Sequence, residues 1–246
     1  MKLHRLTFSH SASANLPEDE QLFFFRLALL RNDLRHIESL YRIAKHNIKS
    51  TNGVERKVVL HQFLFAVRLL YGTLNEAWNI IKIGWDGTRL GKTFAHRLPS
   101  DAKESLQFLR RYFSGDNLVR TIRDQFAFHY YAKNLKHVLM MIEATEDHEF
   151  VTGKLGGNVF YGFAETVRNQ AMTCATGEVD DVSKVRRFYK EPFRVHRHLV
   201  KFSDAVLRET ARDFGIQREV IETTAVIDPA DVPSLIFMDE NKLSSA

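Results

Sequence analysis

Apolar residues recur along much of the chain at alternating steps of three and four, the spacing that places side chains on one face of an α-helix. Three acids follow Pro17, and this pattern predicts the start of a helix, because proline suits the first turn and acids suit the positive end of the helix dipole. The segment 49–53, which reads Lys-Ser-Thr-Asn-Gly, predicts its end. The apolar face between these signals consists of Leu30, Leu34, Ile37, Tyr41, Ala44 and Ile48.

A second helix is predicted over residues 54–85, and most of its circumference is apolar. A helix of this kind is packed on several sides. Its polar positions interrupt the run of apolar residues that a membrane-spanning helix requires, so we expect a core helix and no membrane association. The narrow polar stripe consists of His61, Arg68, Gly72, Asn75, Asn79 and Lys82.

The next segment, 84–99, is rich in glycine and basic residues and reads as a connector. Asp101 and Glu104 then form a predicted capping pair at the start of a third helix. Gly115 ends that helix.

A fourth helix is predicted over residues 118–144, with Asp116 or Asn117 as its cap. The loop that precedes it is very short, and such loops favour antiparallel neighbours. Its predicted core stripe consists of Phe128, Tyr131, Leu135, Val138 and Ile142.

The pattern changes after residue 148. Strand-forming residues flank a glycine-rich stretch over 149–161 and predict a β-hairpin. Helices are predicted near 164–175 and over 180–214, the second bent or broken at Pro192. The tail from Ile221 onward is predicted to be irregular.

These elements predict a mainly α fold, an antiparallel helical bundle with a small β-hairpin insertion. We expect a single domain over 1–246, with core helices at about 17–144 and a C-terminal helical extension at about 145–246. The composition agrees, since 44% hydrophobic residues suffice for a core and only 12 Gly and 5 Pro argue against a turn-rich all-β fold.

Charge and cysteine usage narrow the setting of the protein. The net charge of +5 permits a polyanionic partner without requiring one. The single cysteine, Cys174, excludes an intramolecular disulfide and a cysteine-rich zinc site. Since the first residues also lack the apolar run of a secretory signal, we expect a cytoplasmic protein.

The segment from Arg123 to His129 carries the most specific chemistry. An arginine can clamp a phosphate and a histidine can move a proton near neutral pH, and cleavage of RNA without a metal requires both roles. Asp124 can orient either side chain. In an ideal helix, however, Arg123 and His129 lie about 120° apart. One site then requires the reach of the Arg side chain, a distortion near the helix start, or residues from two protomers.

Arg123, the polar Asp124 and His129, with five residues between the arginine and the histidine, resemble the signature of the HEPN superfamily. Tyr131 also resembles a variant found in some toxin-type members. The match covers fewer than ten residues, together with the helical architecture over about 17–144. The resemblance implies a homodimer with two motifs facing across a cleft. It also implies a metal-independent endoribonuclease without a cofactor, used as a toxin or in antiphage defence.

Under this resemblance His129 exchanges a proton with RNA and Arg123 stabilises the charge that builds on the phosphoryl oxygens. An antitoxin or regulatory protein is a further expected partner. The alternative is an inactive HEPN-like module that binds nucleotide or RNA, or a regulatory helical interaction module. In that case His129 is a packed residue beside aromatic rings, and Arg123 pairs with a neighbouring acid.

Basic residues near the motif and on the predicted C-terminal helix are candidate RNA contacts. Phe188, Tyr189 and Phe193 interleave with the second group and offer stacking surfaces to unpaired bases; the alternative is a solvated helix face whose aromatic rings pack inward. No metal site is expected, because the His-x-x-x-His and Glu-x-x-His spacings do not occur in the sequence. The candidate RNA contacts are Arg120, Tyr131, Lys133, Lys136, Arg186, Arg187, Arg194 and Arg197.

Overall fold

The computed structural model describes residues 2–9, 11, 15–50, 53–127, 132–140, 150–152, 159–213 and 217–222. This part of the chain is mostly helical, which confirms the mainly α prediction. Its elements are β1 (Lys2–Thr7), α1 (Glu18–Ser50), α2 (Gly53–Asp86), α3 (Leu90–Thr93), α4 (Ser100–Phe113), α5 (Leu118–Ile122), a π-helical turn (Arg123–Ala127), α6 (Ala132–Leu139), α7 (Gly162–Cys174), α8 (Asp181–Arg212) and β2 (Gln217–Glu222).

The three longest helices, α1, α2 and α8, begin and end within two residues of their predicted bounds. Helix α1 has three acids in its first turn, as the dipole favours. Helix α8 is predicted to be bent or broken at Pro192; it continues through this residue, so it is not broken, and the bend stays a prediction. A proline removes one backbone hydrogen bond, but Phe188, Val195 and Leu199 are buried on the same helix.

The region around α3 and α4 departs from the prediction in two ways. The connector contains the short helix α3. Helix α4 begins directly after Pro99 and no side chain caps it, so the predicted capping pair at Asp101 and Glu104 is wrong. Instead, the carbonyl oxygen of Asp101 accepts a hydrogen bond from the Ser105 hydroxyl. The predicted cap at Asn117 is confirmed, because its side-chain oxygen accepts the backbone N–H of Arg120 at 2.9 Å.

The fourth predicted helix is not a regular α-helix. After α5 the chain forms a π-helical turn at Arg123–Ala127, and α6 begins at Ala132. A π-helical turn inserts an extra residue into the i→i+4 pattern, and a search for a constant period of 3.6 residues does not detect it. In the predicted core stripe, Val138 is buried and Leu135 is half-buried, while Phe128, Tyr131 and Ile142 lie outside the described residues.

Within the described residues, strand pairing occurs at two places. Val151 and Phe160 form an antiparallel bridge through two backbone hydrogen bonds of 2.8 Å. The turn of the predicted hairpin, 153–158, lies outside the described residues, so the hairpin stays a prediction. Strands β1 and β2 form an antiparallel pair with Lys2 opposite Glu222. The tail is predicted to be irregular from Ile221 onward, and this prediction is wrong for Ile221 and Glu222, which belong to β2. The pairing joins distant parts of the chain, so no local pattern reveals it.

The described residues divide into two compact units. Unit 1 contains described residues of the ranges 1–36, 70–120 and 190–222; unit 2 contains those of the ranges 37–69 and 121–189. The divisions fall inside α1, α2, α5 and α8. The prediction of a single domain stays a prediction.

Each unit has its own aromatic packing. In unit 1, Trp78 stacks on Phe113 at 5.1 Å and Trp85 meets Phe202 edge-on at 5.2 Å between ring centroids. In unit 2, Phe63 lies between Tyr41 and Tyr189, with centroid distances of 4.9 and 5.5 Å.

Helix α2 is also long and apolar enough, by length and composition, to cross a membrane. The structure buries 61% of its most apolar window within the protein. This burial matches a core helix, which passes the same test of length and composition.

Gly84 of α2 provides a test of the packing in unit 1. A Cβ atom at this position would overlap the ring of Phe23, which is buried. We therefore expect Gly84→Ala to lower the free energy of unfolding by about 1–3 kcal/mol. Urea denaturation followed by circular dichroism measures the change.

The matched control is Gly115→Ala, where a Cβ atom meets no other atom within 4 Å. We expect this variant to stay within about 0.5 kcal/mol of the parent protein. Equal stability of the two variants would contradict the close approach of α2 to Phe23.

Candidate functional site

The entry to the Arg123 segment is fixed by polar contacts at the end of α4. The Asn117 side chain donates to the carbonyl of Gly115 at 3.0 Å, and its oxygen caps α5. Arg120 donates from its guanidinium to the carbonyl of Phe113 at 3.2 Å. This contact stabilises the C-terminal end of α4, where a cation is favoured. Arg120 therefore has a structural role beside its predicted phosphate contact.

The π-helical turn places Arg123 and Asp124 side by side on a partly exposed surface of unit 2. Arg123 donates from Nη1 to Oδ1 of Asp124 at 3.0 Å, and the two side chains are 35% and 49% exposed. Phe126 and Ala127 of the same turn are buried. Single π-helical turns are rare and occur frequently at functional sites. On an ideal helix Arg123 and His129 would lie about 120° apart, and a distortion near the helix start is one of the three expected ways to place them in one site. The π-helical turn is such a distortion.

The contact between Arg123 and Asp124 fits two hypotheses. An acid that orients the arginine serves catalysis, whereas an arginine that pairs with a neighbouring acid also fits a purely structural role. His129 and Tyr131 lie outside the described residues, as does the side chain of Lys133. The approach of Arg123 to His129 therefore stays a prediction. Lys136 is exposed on α6.

The basic residues of α8 differ in their surroundings. Arg187 donates to the carbonyl of Thr176 at 2.6 Å and pairs with Glu178, so it holds the connection between α7 and α8. Arg194 lies over the ring of Phe108 at 5.3 Å. Arg186, Arg187, Arg194 and Arg197 are all exposed.

The aromatic residues between them do not form an exposed stacking surface throughout. Phe188 is buried and packs edge-on against Tyr189 at 5.3 Å. For this residue the alternative of inward packing is confirmed. Tyr189 and Phe193 are half-buried, and burial raises the pKa of the Tyr189 phenol to about 12, so it stays a neutral donor.

A cavity of about 550 Å³ adjoins the π-helical turn in unit 2. Phe126 of the turn and Leu135 and Leu139 of α6 form one part of its lining. Glu165 and Arg168 of α7 line another part and form an ion pair with each other. Because the two charges compensate each other, this lining suits an apolar group rather than a phosphate.

A second cavity, of about 460 Å³, was missed by the sequence analysis. Its lining includes His61 of α2 and Asn169 of α7, and the Asn169 amide nitrogen lies 3.1 Å from Nδ1 of His61. The His61 ring also contacts Phe160, with centroids 5.3 Å apart. In the sequence, the four-residue spacing of Lys57 and His61 indicates that both side chains lie on one face of α2, and this was the available signal for a site there.

The charge state of His61 follows from its surroundings. Burial lowers its pKa below the usual 6.5; Glu165 opposes this shift and Arg168 adds to it. An amide nitrogen can only donate, so Nδ1 accepts the bond from Asn169 and the ring proton lies on Nε2. His61 is thus a neutral histidine on the wall of an apolar cavity.

In the described part of the chain, no group of three or more His, Cys, Asp or Glu side chains is arranged to hold a metal ion. Comparison with known proteins gave no match to a family model, to a curated protein or to a solved structure. Any functional assignment therefore depends on the residues of this chain.

The lowered pKa of His61 predicts a pH dependence of stability. The pKa of His61 is lower in the folded chain than in the unfolded chain, so below about pH 6.5 the unfolded chain binds a proton that the folded chain does not. The contribution of His61 to the free energy of unfolding is therefore complete above about pH 6.5 and declines as the pH falls toward the folded-state pKa. Thermal unfolding between about pH 7.5 and about pH 5.5 should show a smaller loss of stability in His61→Gln than in the parent protein.

The control is His137→Gln, since His137 is exposed on α6. This variant should keep the full pH dependence. Burial also lowers the pKa of His198, so some dependence of the same sign remains in every variant. An unchanged slope in His61→Gln would show that His61 titrates alike in the folded and unfolded chain.

Proposed function

We propose that the protein is a HEPN-like, metal-independent endoribonuclease with Arg123 and His129 in a composite site of a homodimer. The main support is the motif together with the π-helical turn that begins at Arg123. Such turns concentrate at functional sites. The contact between Arg123 and Asp124 adds an acid that fixes the direction of the guanidinium.

The proposed mechanism uses proton transfer and charge stabilisation. His129 accepts a proton from a ribose 2′-hydroxyl or donates one to the leaving oxygen. Arg123 stabilises the negative charge that develops on the phosphoryl oxygens, and Asp124 orients it. Positioning and electrostatics supply most of the acceleration, and no cofactor takes part.

The proposed partner is RNA, guided by basic side chains. Lys136, Arg186 and Arg197 are exposed and supply positive charge, and such charge attracts the phosphate backbone irrespective of sequence. A toxin or antiphage role in the cytoplasm, restrained by an antitoxin or regulatory protein, follows from the same family resemblance. Within this proposal, Arg120 and Arg187 have mainly structural roles.

Alanine variants of the motif test the proposal. We expect His129→Ala to reduce the rate of RNA cleavage about 10²–10⁴-fold, because it removes the proton carrier. Arg123→Ala should reduce it about 10²–10³-fold, because charge on the phosphoryl oxygens loses its partner. Cleavage of total RNA is followed by gel electrophoresis, with and without EDTA, which should have no effect.

Matched controls are Arg26→Ala on α1 and His137→Ala on α6, since both side chains are exposed. Their cleavage rates should equal that of the parent protein. Circular dichroism and sedimentation analysis should show unchanged helicity and an unchanged dimer for all four variants. Equal cleavage by parent protein, Arg123→Ala and His129→Ala would remove the proposed site, and inhibition by EDTA would remove the metal-free mechanism.

An inactive HEPN-like module is the second candidate. The observation that favours it is the pairing of Arg123 with Asp124, because a paired arginine needs no substrate. This candidate predicts saturable binding of a nucleotide or RNA, weakened in Arg123→Ala, without turnover of any RNA. Fluorescence anisotropy measures binding and the cleavage assay measures turnover. Binding with turnover supports the nuclease, and binding without turnover supports the inactive module.

A further inference from the structure

The cavity beside His61 has the size and lining of a small-molecule site. Its volume of about 460 Å³ lies within the usual range for ligand pockets, which are mostly apolar with a few polar groups. Residues of α2, α7 and α8 line it, all within unit 2. Val54, Leu60 and Phe163 of this lining are 38–40% exposed, so the cavity is open to solvent on that side.

Aromatic rings form a large part of the lining. Phe160, Phe163, Phe188 and Tyr189 all contribute, and the His61 ring lies against Phe160. Aromatic faces and edges favour a flat aromatic guest through offset or edge-on contacts. A flexible alkyl chain gains no comparable advantage from such walls.

Polar groups in the lining define what else the guest carries. Neutral His61 presents an N–H donor on Nε2, and the Tyr189 phenol remains protonated. Among the described residues that line the cavity, Lys57 is the only Lys, Arg, Asp or Glu. It is exposed to solvent.

We propose that this cavity binds a small planar aromatic anion, with its rings against Phe160 and Phe163 and its anionic group near Lys57. The proposal is independent of RNA cleavage, since it requires neither Arg123 nor His129. Its test therefore measures binding alone, and failure of the nuclease proposal leaves it intact.

The test uses anilinonaphthalene sulfonate, a fluorescent aromatic anion, titrated into the full chain at neutral pH. We expect saturable binding of one molecule per chain with enhanced emission. Phenylnaphthylamine, which has the same rings without the sulfonate, should bind more weakly. Emission that never saturates, or neutral and anionic probes of equal affinity, would overturn the proposal.

Two pairs of matched variants locate the probe. Gln170 lines the cavity from an exposed position on α7, whereas Gln62 is exposed on α2 and does not line it. Gln170→Trp fills the cavity and should weaken binding at least about tenfold, while Gln62→Trp should leave it unchanged. Equal effects of the two tryptophans would place the probe elsewhere.

Charge is tested with Lys57→Glu and Arg56→Glu, which change the net charge equally at adjacent positions. Only Lys57 lines the cavity. Lys57→Glu should weaken binding of the anionic probe about fivefold and leave the neutral probe unaffected, because exposed ion pairs contribute modestly. Arg56→Glu should affect neither probe. This pair decides the outcome even if Gln170→Trp fails to fold.

Competition identifies the shape of the guest. Naphthalene sulfonate should displace the fluorescent probe at lower concentration than decanoate does. Stronger displacement by decanoate would show that the cavity prefers an alkyl chain and would overturn the aromatic assignment.

Discussion

The need to cover α2 on several sides is the constraint on which both units depend. This helix is apolar around most of its circumference, so its burial removes apolar surface from water on several sides. In unit 1 it packs against α1, α4 and α8 through Phe23, Phe113 and Phe202. In unit 2 it contacts α7 and α8 through Asn169 and Tyr189. Its fully buried side chains are Val59, Val67, Tyr71, Leu74, Ala77 and Ile81.

Hydrophobic coverage alone does not decide which helices become neighbours in unit 1. Glu20 of α1 is almost fully buried and pairs with Arg89. Glu209 of α8 is buried and pairs with Arg97, which also binds Asp213. A buried carboxylate without its partner is strongly destabilising. An arrangement that separated Glu20 or Glu209 from its arginine would leave a buried charge unpaired. The two ion pairs therefore hold α1 and α8 against the segment that joins α2 to α4.

Local periodicity predicts the elements well where one period persists. The bounds of α1, α2 and α8 follow from this periodicity. The cap at Asn117 follows from side-chain chemistry, because its side-chain oxygen accepts the backbone N–H of Arg120, three residues further along the chain. Prediction fails where the determining contact is remote, as in the pairing of Lys2 with Glu222 and in the cavity that joins His61 to Asn169. Prediction also fails at the π-helical turn. One inserted residue rotates all following side chains around the helix axis, and the residue types of the segment do not indicate where the insertion occurs.

Within unit 2, the cavity beside His61 and the larger cavity beside the π-helical turn have part of their lining in common. Phe160, Phe163 and Val167 line this cavity and also the larger one, whose lining includes Phe126 of the turn. Protein interiors are close-packed and transmit displacement through neighbouring side chains. A guest that moves these shared residues changes the space beside Phe126, three positions after Arg123. Any coupling between ligand and motif would then act through the packing of one turn and would need no charged contact between them.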